Sequence, residues 1–540
     1  MANLEHTVTV DRDGLARLRQ PRTDLLIERQ DGPDAWTIER GPFRRYRREL
    51  VVEADDGAAT DGTAGDDEDR GEGAGTVTVT ERYEYKLALP VWWPYLWFLF
   101  RRGLRDLDRT PRRRWWWPRE VVGSETSTLI ALLGTVGMMA GYMGVLIGQT
   151  ITFAANDFGV DDDDQANTLA AVRVGVLISM VLLGRADRRG RRPLVLGFAL
   201  TAILFTASGA LSTSMLSLGA SQTVARGLTT GLLTLVTLAS TEEVPASSRA
   251  LSISFMTLTT GFGAALVVWI LPVADIATGG WRIAFLVPLI FLPLLWWISR
   301  HLPETRRYVA AEIHDAPAPI NWKRFALIAG TAFVSFAYLS PASQLRNEFL
   351  RGDLGFSATE VSTFQLLVSL PATMAVPIGG IMADRYGRRW FGAGCLALAV
   401  ICSAISYQSS GGWVLWVTGG LAVSLSAASV PALRGYQTEL FPTRARGRVG
   451  GLIDTIGVAG SALGLVVVGQ LAVRWDDLGS AIGALVAAPL VVAIVIVIAF
   501  PETAQRELEE FNPGDPRLPD TDPGGPRPNR APTGRRGAPG

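Results

Sequence analysis

The stretch G-R-A-D-R-R-G-R-R, at residues 184–192, returns as M-A-D-R-Y-G-R-R at residues 382–389, with its shared aspartate 197 positions later. Two other strings, E-x-x-P-x-x-x-R and P-E-T, recur at the same distance or within one residue of it. They begin at Glu242 and Glu439, and at Pro303 and Pro501. Three unrelated strings at one spacing indicate that two halves of the chain share one structural plan.

Apolar segments of membrane-spanning length lie between these motifs. A helix needs about 20 mostly apolar residues to cross the hydrocarbon core. The mean hydropathy of +0.23 includes two polar ends that dilute the apolar segments. We therefore predict an all-α integral membrane protein with twelve transmembrane helices in two six-helix pseudo-repeated bundles. The predicted spans are 128–153, 166–184, 193–212, 215–239, 251–274, 281–299, 323–345, 361–382, 390–408, 412–433, 449–473 and 479–500.

Arginines cluster in alternate loops between the predicted spans, whereas the opposite loops are short and carry aspartates. Because positive loops stay on the cytoplasmic side, this asymmetry predicts that both termini are cytoplasmic. We expect the plasma membrane as the location. The predicted organisation has five parts. They are a cytoplasmic extension (1–125), a first six-helix bundle (126–300), a cytoplasmic linker (301–322), a second bundle (323–505) and a disordered cytoplasmic tail (506–540).

The N-terminal extension contains a strand signal. Residues 76–89 place Val77, Val79, Tyr83 and Tyr85 at alternating positions, which is typical of a β-strand. Residues 46–52 offer a weaker partner strand. The Gly- and Asp-rich residues between them read as a long flexible loop, so that we predict a small hairpin-like β element.

A short aromatic segment, V-W-W-P-Y-L-W-F-L-F at residues 91–100, follows the predicted strand. It is too short to span a membrane. Arg101, Arg102 and Arg105 come directly after it, and Trp beside Arg suits the membrane interface. The alternative is a helix that simply packs on the β element.

The repeated strings and the helix count together resemble the major facilitator superfamily, which has a loop motif G-x-L-A-D-R-x-G-R-R between helices 2 and 3 and again between helices 8 and 9. The second copy here matches closely. In the first copy, Leu183 stands where the motif has its first glycine. The E-x-x-P-x-x-x-R and P-E-T strings look like the sugar-porter and organic-ion branch (metabolite:proton symporters) of that superfamily.

The residue types of these motifs suit a gate at the cytoplasmic face. Glycine permits the tight turn, aspartate can cap a helix or pair with arginine, and the glutamates can pair with arginines of the other bundle. The alternative for the arginines is that they only enforce topology. The predicted gate residues are Asp187, Arg188, Gly190, Arg191, Glu242, Arg249, Asp384, Arg385, Gly387, Arg388, Glu439 and Arg446.

Charged residues inside the predicted spans are the sharper functional signal, because they are costly in a bilayer. Arg173 and Arg226 lie near the middle of the second and fourth spans, and positions 370 and 423, 197 residues later, are apolar. The resemblance implies that helices 1, 4, 7 and 10 line the cavity, which favours Arg226. The alternative is an arginine that reaches outward to the headgroups. Asp454 could bind a proton, or could be a first-turn acid that pairs with Arg448.

Polar residues on the expected cavity helices complete the predicted pathway: Tyr142, Gln149 and Gln344. The sequence contains no nucleotide loop, metal-ligand cluster or nucleophile–base pair, and we expect no cofactor, no metal and no enzyme activity. Cys395 and Cys402 share one helix and are not expected to form a disulfide.

The leading hypothesis is a secondary active transporter that moves a small organic solute by alternating access with proton coupling. A positive Arg226 favours an anionic or zwitterionic solute. We expect lipid and a proton as partners, no nucleic acid, and a monomer. The alternatives are an efflux antiporter for drugs or metabolites, and a transporter-like receptor that signals through its N-terminal region.

Overall fold

The computed structural model describes residues 2–53, 77–106, 120–160, 190–275, 279–309, 320–513 and 515, with scattered positions between 165 and 183. The chain divides into two compact units, essentially residues 1–132 and residues 133–520. The first unit thus contains the start of the first transmembrane helix, and the second contains the remaining helices of both halves.

The first unit is built on an antiparallel sheet of five strands in the order β1-β5-β4-β3-β2. The strands are β1 (Ala2–Val10), β2 (Ile27–Gly32), β3 (Ala35–Arg40), β4 (Phe43–Glu53) and β5 (Val77–Leu87). The predicted pairing of residues 46–52 with residues 76–89 is confirmed, because Tyr46 lies opposite Tyr85 and Val52 opposite Val79. The predicted hairpin-like element is only part of the sheet, since β1, β2 and β3 extend it. The predicted flexible loop between β4 and β5 lies outside the described residues.

Two helices accompany the sheet, α1 (Arg12–Leu18) and α2 (Trp93–Leu104). A buried ionic network lies beneath them. Arg48 Nη2 is 2.7 Å from Glu28 Oε2 and Arg48 Nη1 is 3.3 Å from Glu81 Oε1, with all three side chains at most 1% exposed. Buried charges are stable only when paired and hydrogen-bonded. Arg48 Nη1 also donates to the carbonyl oxygen of Leu18 at 2.8 Å, so that the network links β2, β4 and β5 to the end of α1.

Long apolar helices make up the rest of the chain. Ten segments of the described residues are long and apolar enough to cross a membrane. The helix Met215–Glu243 is also long but more polar, and the described positions between 165 and 183 are mostly helical, in agreement with twelve transmembrane helices. The helices are α3 (Ser124–Phe158), α4 (Arg191–Ser208), α5 (Met215–Glu243), α6 (Arg249–Ile270), α7 (Trp281–Leu286), α8 (Phe291–His301), α9 (Trp322–Gln344), α10 (Ala358–Tyr386), α11 (Arg388–Gln408), α12 (Gly412–Glu439), α13 (Arg446–Trp475), α14 (Leu478–Gly483) and α15 (Ala487–Ala499).

The first residues of the predicted disordered tail (506–540) are ordered on the helix bundle. A short helix, α16 (Leu508–Phe511), follows residue 506, and both Asn512 and Asp515 are buried. Asn512 Nδ2 donates to the carbonyl oxygen of Glu439 at 3.0 Å. This contact explains the difference, because the segment gains partners from the helix bundle that its own polar sequence does not reveal.

Candidate functional site

The repeated glycines occupy a backbone conformation that other residues rarely adopt. Gly190 has φ of +93° and Gly387 has φ of +103°. A Cβ atom at Gly190 would overlap Glu304 Oε2, and one at Gly387 would overlap Glu502 Oε2. The sequence predicted the tight turn but missed these two glutamates, which belong to the two P-E-T strings. Two motifs that looked separate in sequence therefore form one structural unit, present once in each half.

The P-E-T glutamates cap the helices that follow the glycines. Glu304 Oε1 accepts from the backbone N–H of Arg191 at 2.9 Å, at the start of α4. Glu502 Oε1 accepts from the backbone N–H of Arg388 at 2.8 Å, at the start of α11. The first N–H groups of a helix have no partner within the helix and carry a partial positive charge, so that a carboxylate there is stabilising.

Glu242, at the end of α5, joins the two halves. Its Oε1 atom lies 3.1 Å from Arg191 Nη2 of the same half and 3.5 Å from Arg446 Nη1 of the other half. All three side chains are at most 1% exposed. Arg191 Nη2 also donates to the carbonyl oxygen of Thr443, across the halves, at 2.6 Å. These contacts must break if the halves separate at this end.

The pseudo-symmetric contact uses Glu439, at the end of α12. Glu439 forms an ion pair with Arg388 of its own half and lies 3.9 Å from Arg249 Nη1 of the other half. Asp384 adds a further link. Its Oδ1 and Oδ2 atoms accept from the backbone N–H groups of Ala250 and Leu251, at 3.1 and 3.0 Å, and thus cap α6 of the opposite half.

Gly380 permits the close approach of α10 to α6. A Cβ at Gly380 would overlap Ser254 Oγ and lie 2.7 Å from the carbonyl oxygen of Ala250.

Among the other predicted gate residues, Arg385 is exposed at the surface, whereas Asp187 and Arg188 lie outside the described residues. The buried cluster therefore joins nine of the predicted gate residues with Glu304 and Glu502. Those nine are Gly190, Arg191, Glu242, Arg249, Asp384, Gly387, Arg388, Glu439 and Arg446.

The segment around α16 covers the same end of the bundle. Arg249 Nη2 lies 3.1 Å from Glu507 Oε2, and Arg446 Nη2 lies 3.1 Å from Asp515 Oδ2. Since Arg249 belongs to the first half and Arg446 to the second, the segment contacts both. The sequence offered only the acidic run at 507–510 as a signal for it.

A cavity of about 680 Å³ lies between the two halves. Described residues of α5 line one side, and residues of α9, α11, α12 and α13 line the other. The polar and charged lining residues are Thr230, Thr234, Ser340, Ser343, Arg346, Ser403, Ser426, Arg434, Asp454 and Ser461. Two arginines against one aspartate give this described lining a net charge of +1.

Asp454 is the point at which the cavity residues of the two halves meet. Its Oδ1 atom lies 3.1 Å from Arg434 Nη1 of the same half, and its Oδ2 atom accepts from Thr234 Oγ1 of the other half at 2.8 Å. The Asp454 side chain is 13% exposed and that of Arg434 is 42% exposed. The alternative of a first-turn acid does not hold for Asp454, because α13 begins at Arg446 and places Asp454 more than two turns into the helix.

The other predicted pathway residues lie away from the described cavity lining. Arg226 donates to the carbonyl oxygen of Gly144 and so links α5 to α3. Tyr142 is buried and donates to the carbonyl oxygen of Ala284 at 2.8 Å. Gln149 is exposed on α3. These contacts are structural in this conformation, and the proposed part of these residues in transport stays a prediction.

Gln344 lies next to the cavity rather than in its described lining. Its Nε2 atom donates to Ser340 Oγ, and Ser340 in turn contacts Ser461; both serines line the cavity. Arg173 lies outside the described residues. Asp454 is therefore the predicted pathway residue that the structure places directly on the cavity.

Arg346 and Arg434 are the charged residues of the described cavity lining that sequence reasoning missed. Arg346 follows the end of α9, and Arg434 lies five residues before Glu439 near the arginine-rich loop. Both therefore resembled arginines at helix ends. The available signal was asymmetry, because the position 197 residues before Arg434 is Thr237.

Comparison with known families supports this architecture. The family model described as the Major Facilitator Superfamily matches residues 325–532, and the model described as Sugar (and other) transporter matches residues 127–318. A structure of the proton:xylose symporter XylE has a TM-score of 0.61 and 16% identity, covering 72% of this chain and 99% of that chain. At this identity the likeness concerns the fold.

The characterised relatives match a smaller share of this chain. The citrate-proton symporter of Klebsiella pneumoniae is 27% identical over 200 residues, which are 33% of this chain and 42% of that protein. The cis,cis-muconate transport protein of Acinetobacter baylyi is 26% identical over 346 residues, 56% of this chain and 79% of that protein. This chain thus spans less than half of the first relative and about four fifths of the second. With its repeated motifs, its multi-pass helices and both family matches, the chain belongs to the major facilitator superfamily, whose members are transporters rather than enzymes, in the sugar-porter and organic-ion branch.

Proposed function

We propose that this chain is a secondary active transporter that moves small organic carboxylates across a membrane by alternating access, together with protons. One observation carries the proposal. The cavity between the halves holds an aspartate, Asp454, that is bound both by Arg434 of its own half and by Thr234 of the other half. A site shared by two repeated halves is what rocking around a central substrate requires.

The charge of the cavity favours an anion. Arg434 and Arg346 outnumber Asp454 among the described lining residues. The planar guanidinium group matches a carboxylate with two parallel hydrogen bonds, and hydroxyl groups can bind the remaining oxygens of a polar solute. The volume of about 680 Å³ lies within the range of roughly 300–1,000 Å³ that is usual for small-molecule sites. The names of both relatives, a citrate and a muconate transporter, concern carboxylates.

Asp454 is the proposed proton site. Without substrate, its carboxylate neutralises Arg434 at 3.1 Å. When a proton binds to Asp454, that neutralisation ends, and Arg434 can pair with the carboxylate of the substrate. One proton and one substrate carboxylate then enter with no net change in the charge of the site, which limits the cost of burying charge in the membrane.

The buried ion pairs at the ends of α5 and α12 are the proposed gate. In this conformation the Arg446–Glu242 and Arg249–Glu439 contacts cross between the halves. Opening that end exchanges these buried contacts for hydration of the separated charges, and for a buried pair the two terms largely offset each other. A free-energy difference remains between the closed and open states. Substrate and proton binding would have to supply the difference. We further propose that this arginine-rich end faces the cytoplasm, that the plasma membrane is the location, and that one copy suffices for transport.

The test uses the purified full-length protein. A thermal-shift screen with carboxylates, starting with citrate and cis,cis-muconate, identifies a stabilising ligand. Uptake of that ligand is then measured in proteoliposomes with and without an inward proton gradient. We expect an Arg434→Gln variant to lose ligand stabilisation and uptake, and an Asp454→Asn variant to bind the ligand without a response to the gradient.

Arg474→Gln is the matched control, because Arg474 lies on α13 like Asp454 but is exposed at the other end of the helix. Uptake by Arg434→Gln at the control rate would exclude Arg434 as the anion site. A protein that binds carboxylates but never transports them, in either direction, would favour the receptor hypothesis instead.

A further inference from the structure

Helix α2 carries apolar side chains on two opposite faces. One face packs on the sheet, where the ring of Phe100 meets that of Phe43 at 5.6 Å between centroids. The other face carries Tyr95 and Phe98, each 62% exposed, and Leu99, which is 46% exposed. Large aromatic residues on one exposed helix face are unusual for a surface in water, and they indicate an interaction site.

The buried face holds α2 firmly in the first unit. Arg22 Nη1 donates to the carbonyl oxygen of Leu104 at 2.8 Å, and Arg22 Nη2 donates to that of Gly103 at 3.0 Å. These bonds satisfy carbonyl groups at the helix end that have no partner within the helix. The exposed face therefore belongs to a helix with a fixed orientation. Rotating α2 about its axis to hide the aromatic residues would break these two hydrogen bonds.

Two hydrogen bonds tie the start of α2 to the beginning of the first transmembrane helix. Trp92 Nε1 donates to the carbonyl oxygen of Ala131 at 3.1 Å, and Thr128 Oγ1 donates to that of Ala88 at 3.0 Å. Helix α3 has 35 residues, or about 52 Å at 1.5 Å per residue. This exceeds the hydrocarbon core of about 30 Å and also the roughly 40–45 Å that includes the headgroups. Shared equally between the two ends, the excess over the hydrocarbon core is about 11 Å at each end. Ala131 is about 10 Å from the start of α3, which puts it and its partner Trp92 at the border between the hydrocarbon core and the headgroups.

We infer that α2 lies on the bilayer surface at the level where α3 begins, with its exposed aromatic face among the lipids. Tyrosine and tryptophan are enriched at this depth because their rings are apolar and their polar atoms reach water. Arg102 and Arg105 are exposed after the aromatic residues, where they can contact anionic headgroups. The five-stranded sheet is thereby anchored to a lipid surface, and the protein gains a contact that responds to lipid composition.

The inference can be tested with a depth-sensitive fluorophore on the full-length protein in liposomes. In a background without Cys395 and Cys402, Phe98→Cys is labelled with a nitrobenzoxadiazole dye. The control is Glu49→Cys, an exposed side chain on β4 of the same unit. We expect blue-shifted emission at position 98 and quenching by lipids that carry a shallow nitroxide, with neither effect at position 49. Equal, weak quenching at both positions would overturn the inference.

Two further measurements separate lipid from other occupants. Labelling at Tyr95→Cys gives a second position if the first variant folds poorly. Quenching that disappears when vesicles contain a single copy would mean that a second copy, not lipid, covers the face. Quenching should increase with the fraction of anionic lipid, and Arg102→Gln with Arg105→Gln should remove that increase; an increase that persists would exclude the arginines as headgroup contacts.

Discussion

Replacing Thr234 by valine tests the bridge between the halves. Thr234 Oγ1 donates to Asp454 Oδ2 at 2.8 Å, from α5 of one half to α13 of the other. Valine keeps the shape of the side chain but has no hydroxyl group. The substitution therefore removes a hydrogen bond that exists only while the halves meet at this point, and it should favour the conformation in which this end is open.

The size of the expected shift in the conformational equilibrium depends on the charge of the acceptor, Asp454. A hydrogen bond to a charged group contributes about 1.5–3 kcal/mol net, which corresponds to about 10- to 150-fold in an equilibrium constant. The substitution does not touch Arg434, which lies 3.1 Å from Asp454 in this structure. Because the carboxylate is not left unpaired, we expect the lower end, a shift of about tenfold toward the open conformation.

The assay is a distance measurement between spin labels at positions 192 and 390, on the first turns of α4 and α11. Both native side chains are exposed. The control is Thr237→Val, because among the described residues Thr237 Oγ1 donates within its own helix, to the carbonyl oxygen of Leu233 at 2.8 Å. We expect long distances to gain population in the Thr234 variant and not in the control.

A double-mutant cycle adds a stricter condition. In an Asp454→Asn background the Thr234→Val substitution should have a smaller effect, since the charged acceptor is gone. A distance distribution for Thr234→Val that matches the Thr237→Val control would refute the bridge. An effect of equal size with and without Asp454 would assign the hydroxyl to some other contact.

Two further predictions concern the helix contact of the gate and the N-terminal unit. Gly380→Ala places a methyl group on Ser254 Oγ, whereas Gly394→Ala meets open space within 4 Å; since overpacking costs about 1–3 kcal/mol, we expect slower uptake only for the former, and equal rates would contradict the close contact. Burial alone would raise the pKa of Asp24, but its hydrogen bond with Arg22 and the charge of Arg22 outweigh burial and lower this pKa. Asp24 then stabilises the folded unit above its unfolded pKa of about 4, and this contribution is lost as the pH falls through the folded value. The urea concentration at the midpoint of unfolding, followed with a fluorophore on β4, should fall as the pH is lowered over that range. It should fall less in the Arg22→Gln variant.

The helices and the gate could be predicted because each depends on local sequence. A span of apolar residues has few alternatives to a transmembrane helix, and the gate motifs occur twice. Glu304 and Glu502 show the limit of this reasoning. Their strings were recognised, but their capping of α4 and α11 requires residues more than a hundred positions away to meet.

The cavity was harder to predict because its charges have no counterparts in the repeat. Arg434 has Thr237 as its counterpart, and in this structure Arg434 faces the cavity while Thr237 bonds within its helix. Arg226 showed the same kind of asymmetry, yet it lies against Gly144. Asymmetry alone thus selects candidates, and only the packing of the helices decides which of them reach the cavity.

The imperfect first motif has a counterpart on another helix. At the contact between α10 and α6, Gly380 faces Ala250 and Ser254. Subtracting 197 from 380 gives Leu183, which is fully buried, and adding 197 to 250 and 254 gives Gly447 and Gly451, which are buried in α13. The larger side chain in one helix is therefore matched by two glycines at the positions equivalent to its partners. Helix packing depends on the summed volume at a contact rather than on the identity of one residue. We therefore expect Leu183 to pack against Gly447 and Gly451, so that the glycines of this contact lie on the opposite helix from Gly380, and Gly447→Ala should slow uptake as Gly380→Ala does.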